Sequence, residues 1–97
     1  MKQFKELNPL LHSQLRLSII SLLINVREAE FTFLKEKTNS TAGNLSVQIT
    51  KLQEAGYLAV EKMFRDNKPL TKCKITNEGK KAFKEYVNNL KDYLTLK

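Results

Sequence analysis

Hydrophobic spacing changes period twice along this chain, from about 3.6 residues to two near residue 57 and back to 3.6 near residue 76. The order that follows is three helices, two short strands and a last helix. Two strands this short with only a few polar residues between them can satisfy their backbones as a hairpin. A chain of 97 residues, 41% of them hydrophobic, supplies one modest core that all these elements must share. The expectation is therefore a single domain over residues 1–97, mainly α with a small β-hairpin.

Asn8 and Pro9 stand where a helix can begin, and from Ser13 the residues Leu15, Ile19, Leu22, Leu23 and Val26 recur at helical spacing. At about 100° per residue they fall on one stripe. Leu17, Ile20 and Ile24 form a second stripe nearly opposite, so this helix is expected to be covered on both sides. Phe31 to Thr38 reads as a short second helix with Thr32 as its N-cap and Phe33 and Leu34 pointing inward. After the polar link Asn39, Ser40, Thr41, a third helix runs from about Ala42 to Ala55. Ser40 or Thr41 caps it, Leu45, Ile49 and Leu52 share one face, and Gly56 ends it. Tyr57 to Met63 reads as a strand, Arg65 to Pro69 as its break, and Leu70 to Ile75 as the returning strand. Thr76 caps the last helix, about 77–96, which carries Phe83, Tyr86, Val87, Leu90, Tyr93 and Leu94 within one stripe.

Helix, helix, helix, hairpin, helix is the order of a winged helix-turn-helix, whose third helix enters the major groove and whose hairpin touches the flanking backbone. The segments Leu11-His12-Ser13-Gln14-Leu15-Arg16-Leu17, Phe31-Thr32-Phe33-Leu34-Lys35, Gly43-Asn44-Leu45-Ser46, Leu52-Gln53-Glu54-Ala55-Gly56-Tyr57 and Ile75-Thr76-Asn77-Glu78-Gly79 carry a more specific likeness. Over about residues 9 to 94 the chain resembles the small MarR/ArsR-like transcriptional regulators. That resemblance implies a homodimeric, sequence-specific regulator that binds double-stranded DNA.

With Leu45, Ile49 and Leu52 turned inward, helical geometry turns Gly43, Asn44, Val47, Thr50 and Lys51 outward. An amide such as that of Asn44 reads base edges, and Val47 suits a thymine methyl. Thr50 and Lys51 suit phosphates. Thr41 at the helix start and Ser46 and Gln48 on its flanks complete the candidate DNA-binding set. Any helix turns something polar outward, so an ordinary solvated face competes with this reading at each position. Gly43 argues more strongly, because glycine weakens a helix by about 1 kcal/mol relative to alanine and its missing side chain admits a phosphate, with fraying of the first turn as the competing explanation.

The net charge of +7 favours a polyanionic partner. From Glu61 to Lys81 seven basic residues face three acidic ones, a net of +4, which puts over half of the charge on the hairpin and its exit. Arg65 and Lys68 at its tip are the candidates for phosphate or minor-groove contact. The competing view, that strand edges use lysine to discourage edge-to-edge association, explains Lys72 and Lys74 better than it explains Arg65.

Catalytic readings lack parts. His12 is the sole histidine and Cys73 the sole cysteine; they lie far apart, and no Gly-rich phosphate loop or metal-ligand spacing accompanies them. The expectations are no enzymatic activity, no cofactor, no metal and a reducing, cytoplasmic setting. No run approaches the roughly 18 consecutive apolar residues of a membrane span. Leu17, Ile20 and Ile24 of the first helix, with Phe83, Tyr86, Val87, Leu90, Tyr93 and Leu94 of the last, are the candidate dimer contacts. A rival class is a winged-helix protein-interaction module without sequence-specific DNA binding, since a fold does not fix a function. A regulator controlled by a small apolar effector between the first and last helices is a third reading; nothing in the sequence identifies such a molecule, the operator or the sign of regulation.

Overall fold

The computed structural model describes residues 3–95. The elements run α1 (Gln14–Val26), β1 (Glu28–Glu30), α2 (Phe31–Thr38), α3 (Ala42–Glu54), β2 (Leu58–Arg65), β3 (Lys68–Ile75) and α4 (Asn77–Leu94). The strands form one antiparallel sheet in the order β1-β3-β2. The last helix, expected to run to about residue 96, ends at Leu94 because Thr95, its C-cap, is already extended at φ −90°, ψ 91°.

Leu11, Ile19, Ile20, Leu23, Leu34, Leu45, Ile49, Leu52, Leu58, Cys73, Ile75 and Tyr86 make the core. In α1 the buried residues are Ile19, Ile20 and Leu23, the line between the two expected stripes. The helix meets α2, α3, α4, β1 and β3, and both stripes pack partly against the core through Leu15, Leu22, Leu17 and Ile24. Two expectations fall with this. Ile20 and Tyr86, read as dimer contacts, are 0% and 4% exposed within one protomer, so their side chains have no surface left for a partner. Val26, read as inward, is half exposed because the helix ends on it.

The helix ends follow local chemistry. Asn8 does not start a helix; its Oδ1 accepts from the backbone N–H of Leu10 and Leu11 at 2.9 and 3.3 Å, a side-chain turn, and α1 begins six residues later. Glu30, not Thr32, holds the N-cap position of α2, without a side-chain cap hydrogen bond, because the strand β1 runs directly into that helix. The α2–α3 link turns on Asn39 in the left-handed region at φ 52°, a conformation asparagine tolerates. Thr41 caps α3, its Oγ1 accepting from Asn44 N–H at 3.1 Å. Gly56, at φ 82°, closes it in a Schellman arrangement, with Gly56 N–H donating to Gln53 C=O and Tyr57 N–H to Leu52 C=O, both at 2.9 Å.

The hairpin is longer than its sequence pattern indicates. Asp66 and Asn67 both have positive φ, 52° and 62°, the backbone of a two-residue type I′ turn. Arg65 therefore pairs with Lys68, and both strands extend to the tip. Pro69 fits inside β3 because the Phe64–Pro69 pair next to the closing one is non-hydrogen-bonded, so the ring nitrogen points away from β2, and β1 pairs no further than Lys72. The strand β1, charged at Glu28 and Glu30, shows no alternation a sequence reader can detect. Among the described residues no helix is long and apolar enough to cross a membrane.

Candidate nucleic-acid interface

The third helix stands on the surface by one face. Leu45, Ile49 and Leu52 are buried beneath it. Thr41, Gly43, Asn44, Ser46, Val47, Thr50 and Lys51 are all exposed, Val47 to 51%, and Gln48 is half-buried on the flank. A Cβ built on Gly43 meets no atom within 4 Å, so nothing in the protein itself requires a glycine there.

The polar side chains on this face are held in place. Arg16 of α1 donates through Nε to Leu10 C=O at 2.6 Å and through Nη1 to Gln48 Oε1 at 2.5 Å. Gln48 then donates from Nε2 to Asn44 Oδ1 at 3.0 Å. Its own amide is thereby oriented, and the chain leaves the Asn44 amide nitrogen with its two donors turned to solvent or a ligand. Sequence reasoning missed Arg16, although one cation inside the apolar run Leu15 to Leu17 is the signal that could have found it.

The hairpin projects beside α3 and leaves a notch of about 300 Å³ lined by Ser46, Thr50, Lys62 and Thr71 among others. Strand alternation puts Val60, Lys62, Phe64, Thr71 and Pro69 on this side and Arg65 and Lys68 on the other. Lys68 is exposed at the tip. Arg65 is engaged: its guanidinium reaches over β3 and grips Glu30 with both nitrogens, at 2.7 and 3.1 Å. This hydrogen bonding holds the Glu30 carboxyl below the ordinary carboxylate range, with burial opposing, and raises Arg65. Lys72 lies 3.7 Å from Glu28. Part of the hairpin charge is thus spent internally, which a count of lysines and arginines does not reveal. The other titratable candidates are structural. His12 Nδ1 sits 3.0 Å from Tyr86 Oη, and burial pushes the Cys73 thiol up to about 11, so it stays protonated in the core.

A protruding helix with a polar outer face, flanked by a basic hairpin and carried on a three-helix core, defines a winged helix DNA-binding domain. A profile of that family matches residues 15–94, and the chain belongs to it. An uncharacterised protein of Methanocaldococcus jannaschii is 41% identical over 76 residues, 78% of this chain and 83% of its own length. The structure of a transcriptional regulator homologue from Pyrococcus horikoshii is similar at a TM-score of 0.81 and 31% identity, over 90% of this chain and 89% of that one. A MarR family transcriptional regulator from Silicibacter pomeroyi shares the fold at a TM-score of 0.68 and 14% identity, over 86% of this chain and 55% of its own. Fold and relatives together define a DNA-binding regulator.

Proposed function

We propose that the protein is a sequence-specific regulator of transcription that binds double-stranded DNA as a homodimer, with α3 in the major groove and the hairpin on the flanking backbone. The observation that carries this reading is the Arg16–Gln48–Asn44 chain. A solvated helix face has no need of a half-buried arginine to orient its amides, whereas a base-reading amide gains from losing its rotamer freedom before it binds. Asn44 is the base reader, and Val47 supports it against a thymine methyl. Thr41, Gly43, Ser46, Thr50 and Lys51 lie against the sugar-phosphate backbone, Gln48 orients Asn44, and Lys68 meets phosphate across the groove. Arg65 joins them only by exchanging Glu30 for a phosphate. The dimer contact uses the apolar residues that the protomer leaves partly uncovered: Leu17, Ile24, Phe83, Val87, Leu90, Tyr93 and Leu94.

Selection of bound duplexes from a random pool tests the proposal directly. The expected outcome is a palindromic motif with half-sites about one helical turn apart, roughly 10 base pairs. Asn44→Ala should lower the preference for that motif over random duplex by about 1 to 3 kcal/mol. Recovery of no motif, with no salt-sensitive binding to plain duplex, would favour the interaction-module reading, whereas binding that depends on charge alone would remove only the sequence specificity.

A further inference from the structure

Phe64 is 76% exposed, more than any other large hydrophobic side chain among the described residues. Its position is specific. It lies one residue from the turn of the hairpin, directly across from Pro69, and strand alternation aims it to the same side as Lys62 and the notch beside α3. The wing therefore presents an apolar tip, Phe64 against Pro69, on the side of the hairpin that faces α3, with Lys62 two residues behind it. The hairpin that carries it is braced. A tight two-residue turn closes it, β2 and β3 pair along their full length, and Arg65 clamps its outer face to Glu30. The exposure of Phe64 rules out a buried role.

We infer that Phe64 is a wedge that enters the minor groove beside the half-site, partly unstacks one base step and bends the duplex. This rests on the DNA-binding reading and extends it to deformation of the DNA. Apolar side chains on rigid elements open base steps in this way, with kinks of roughly 20–90° toward the major groove. Lys62 follows the ring to the phosphates, and Pro69 keeps the tip free of a backbone donor on that edge. The wedge selects for sequence without hydrogen bonds, because pyrimidine–purine steps such as TA unstack more readily than the stiff steps of an A-tract.

The chain contains no tryptophan, so Phe64→Trp introduces a single tryptophan at the wing tip, whose emission is read with excitation beyond the tyrosine absorption. Two duplexes of equal length serve as probes, one of alternating T and A and one a pure A-tract, each carrying a donor and acceptor dye at its ends. The wild-type protein should bind the alternating duplex several-fold more tightly and raise its end-to-end energy transfer. Phe64→Ala should bring the affinity ratio toward one and abolish the rise, while Phe64→Leu keeps both. Saturating alternating duplex should quench the Phe64→Trp emission at least twofold and shield it from iodide. Because the ring is exposed, none of these changes should move the thermal midpoint. Wild-type protein that binds both duplexes with no bend, and tryptophan emission that ignores DNA, would overturn the wedge and leave the DNA-binding reading standing. Failure to bind any duplex would sink both. Emission that changes with protein concentration in the absence of DNA would assign Phe64 to a contact between copies and equally overturn the wedge.

Discussion

Gly43 sets stability against function at a single position. It sits in the first turn of α3 with open space where a Cβ would be, so Gly43→Ala should stabilise the fold, by up to about 1 kcal/mol. If the backbone there approaches a phosphate, the same methyl group must weaken DNA binding. A higher thermal midpoint with lower duplex affinity is the expected pair of results; a gain in both would remove Gly43 from the interface. Arg16 behaves in the opposite sense, since Arg16→Ala strips hydrogen bonds from Leu10 C=O and Gln48. A loss of about 1 to 3 kcal/mol in unfolding free energy is expected, together with reduced discrimination between motif and random duplex. Arg16→Lys should not restore that discrimination, because an ammonium lacks the planar fork that reaches both acceptors. The Arg65–Glu30 clamp adds a pH dependence. The Glu30 carboxyl is held below its ordinary value near 4.5, so the stabilisation is present above that value and is lost as pH falls through the lowered one. Amide exchange in the hairpin should rise on acidification in the wild type, and Glu30→Gln should flatten the response.

Elements meet here through backbone geometry that composition does not encode. The start of α4 is fastened to the α3–β2 corner: Thr76 Oγ1 donates to Gly56 C=O at 2.6 Å, Thr76 N–H to Tyr57 C=O at 3.1 Å, and Thr76 Oγ1 accepts from Gly79 N–H at 3.0 Å. A Cβ on Gly79 would lie 2.4 Å from the Tyr57 carbonyl oxygen. Gly79→Ala must push α4 off this corner, and a cost of about 1 to 3 kcal/mol is expected from overpacking, measurable as a lower denaturant midpoint. The third helix was legible in sequence because Leu45, Ile49 and Leu52 give it a buried face at helical spacing, and Thr41, Gly56 and Thr76 mark helix ends as read, whereas α2 buries Leu34 alone and its cap was misplaced. The outward face of α3 followed from Leu45, Ile49 and Leu52 by the same arithmetic. What escaped had no local signal. The strand β1 is three residues whose pairing depends on β3, more than forty residues away. Polar residues read as a break, Arg65 to Pro69, extend the strands because Asp66 and Asn67 accept positive φ. The partners Glu30 for Arg65 and Gln48 for Arg16 are separated by 35 and 32 residues, and only the fold brings them together.

At the scale of the whole molecule the open question is what covers the far end of α4. Its first half is seated in the protomer at Gly79 and Tyr86, but Tyr93 and Leu94 are 38% and 71% exposed, and Phe4, 58% exposed, stacks on Tyr93 with ring centroids 4.6 Å apart. Tyr93 Oη also donates to Lys5 C=O at 2.8 Å, which ties the N-terminal segment to the end of the helix. The result is an apolar cluster made from both ends of the described chain and set apart from the face of α3. Covering it with a second copy about a twofold axis uses the same patch twice, the commonest way for a soluble chain to close an assembly. In the proposed function such a dimer has to present both copies of α3 to one side of a duplex, because a palindromic site requires it. Leu90→Asp would be a poor test, because Leu90 packs against the protomer core and its loss confounds unfolding with dissociation. Leu94→Asp is the cleaner change, since the residue is mostly exposed. The expected outcome is an unchanged circular dichroism spectrum and thermal midpoint at low concentration, with sedimentation at micromolar concentration moving from a dimer to the 11.2 kDa monomer. Affinity for the palindrome should fall far more than affinity for a single half-site, because only the former depends on two linked recognition helices. A wild-type protein that sediments as monomer yet discriminates the palindrome from its half-site would remove the dimer from the proposed function.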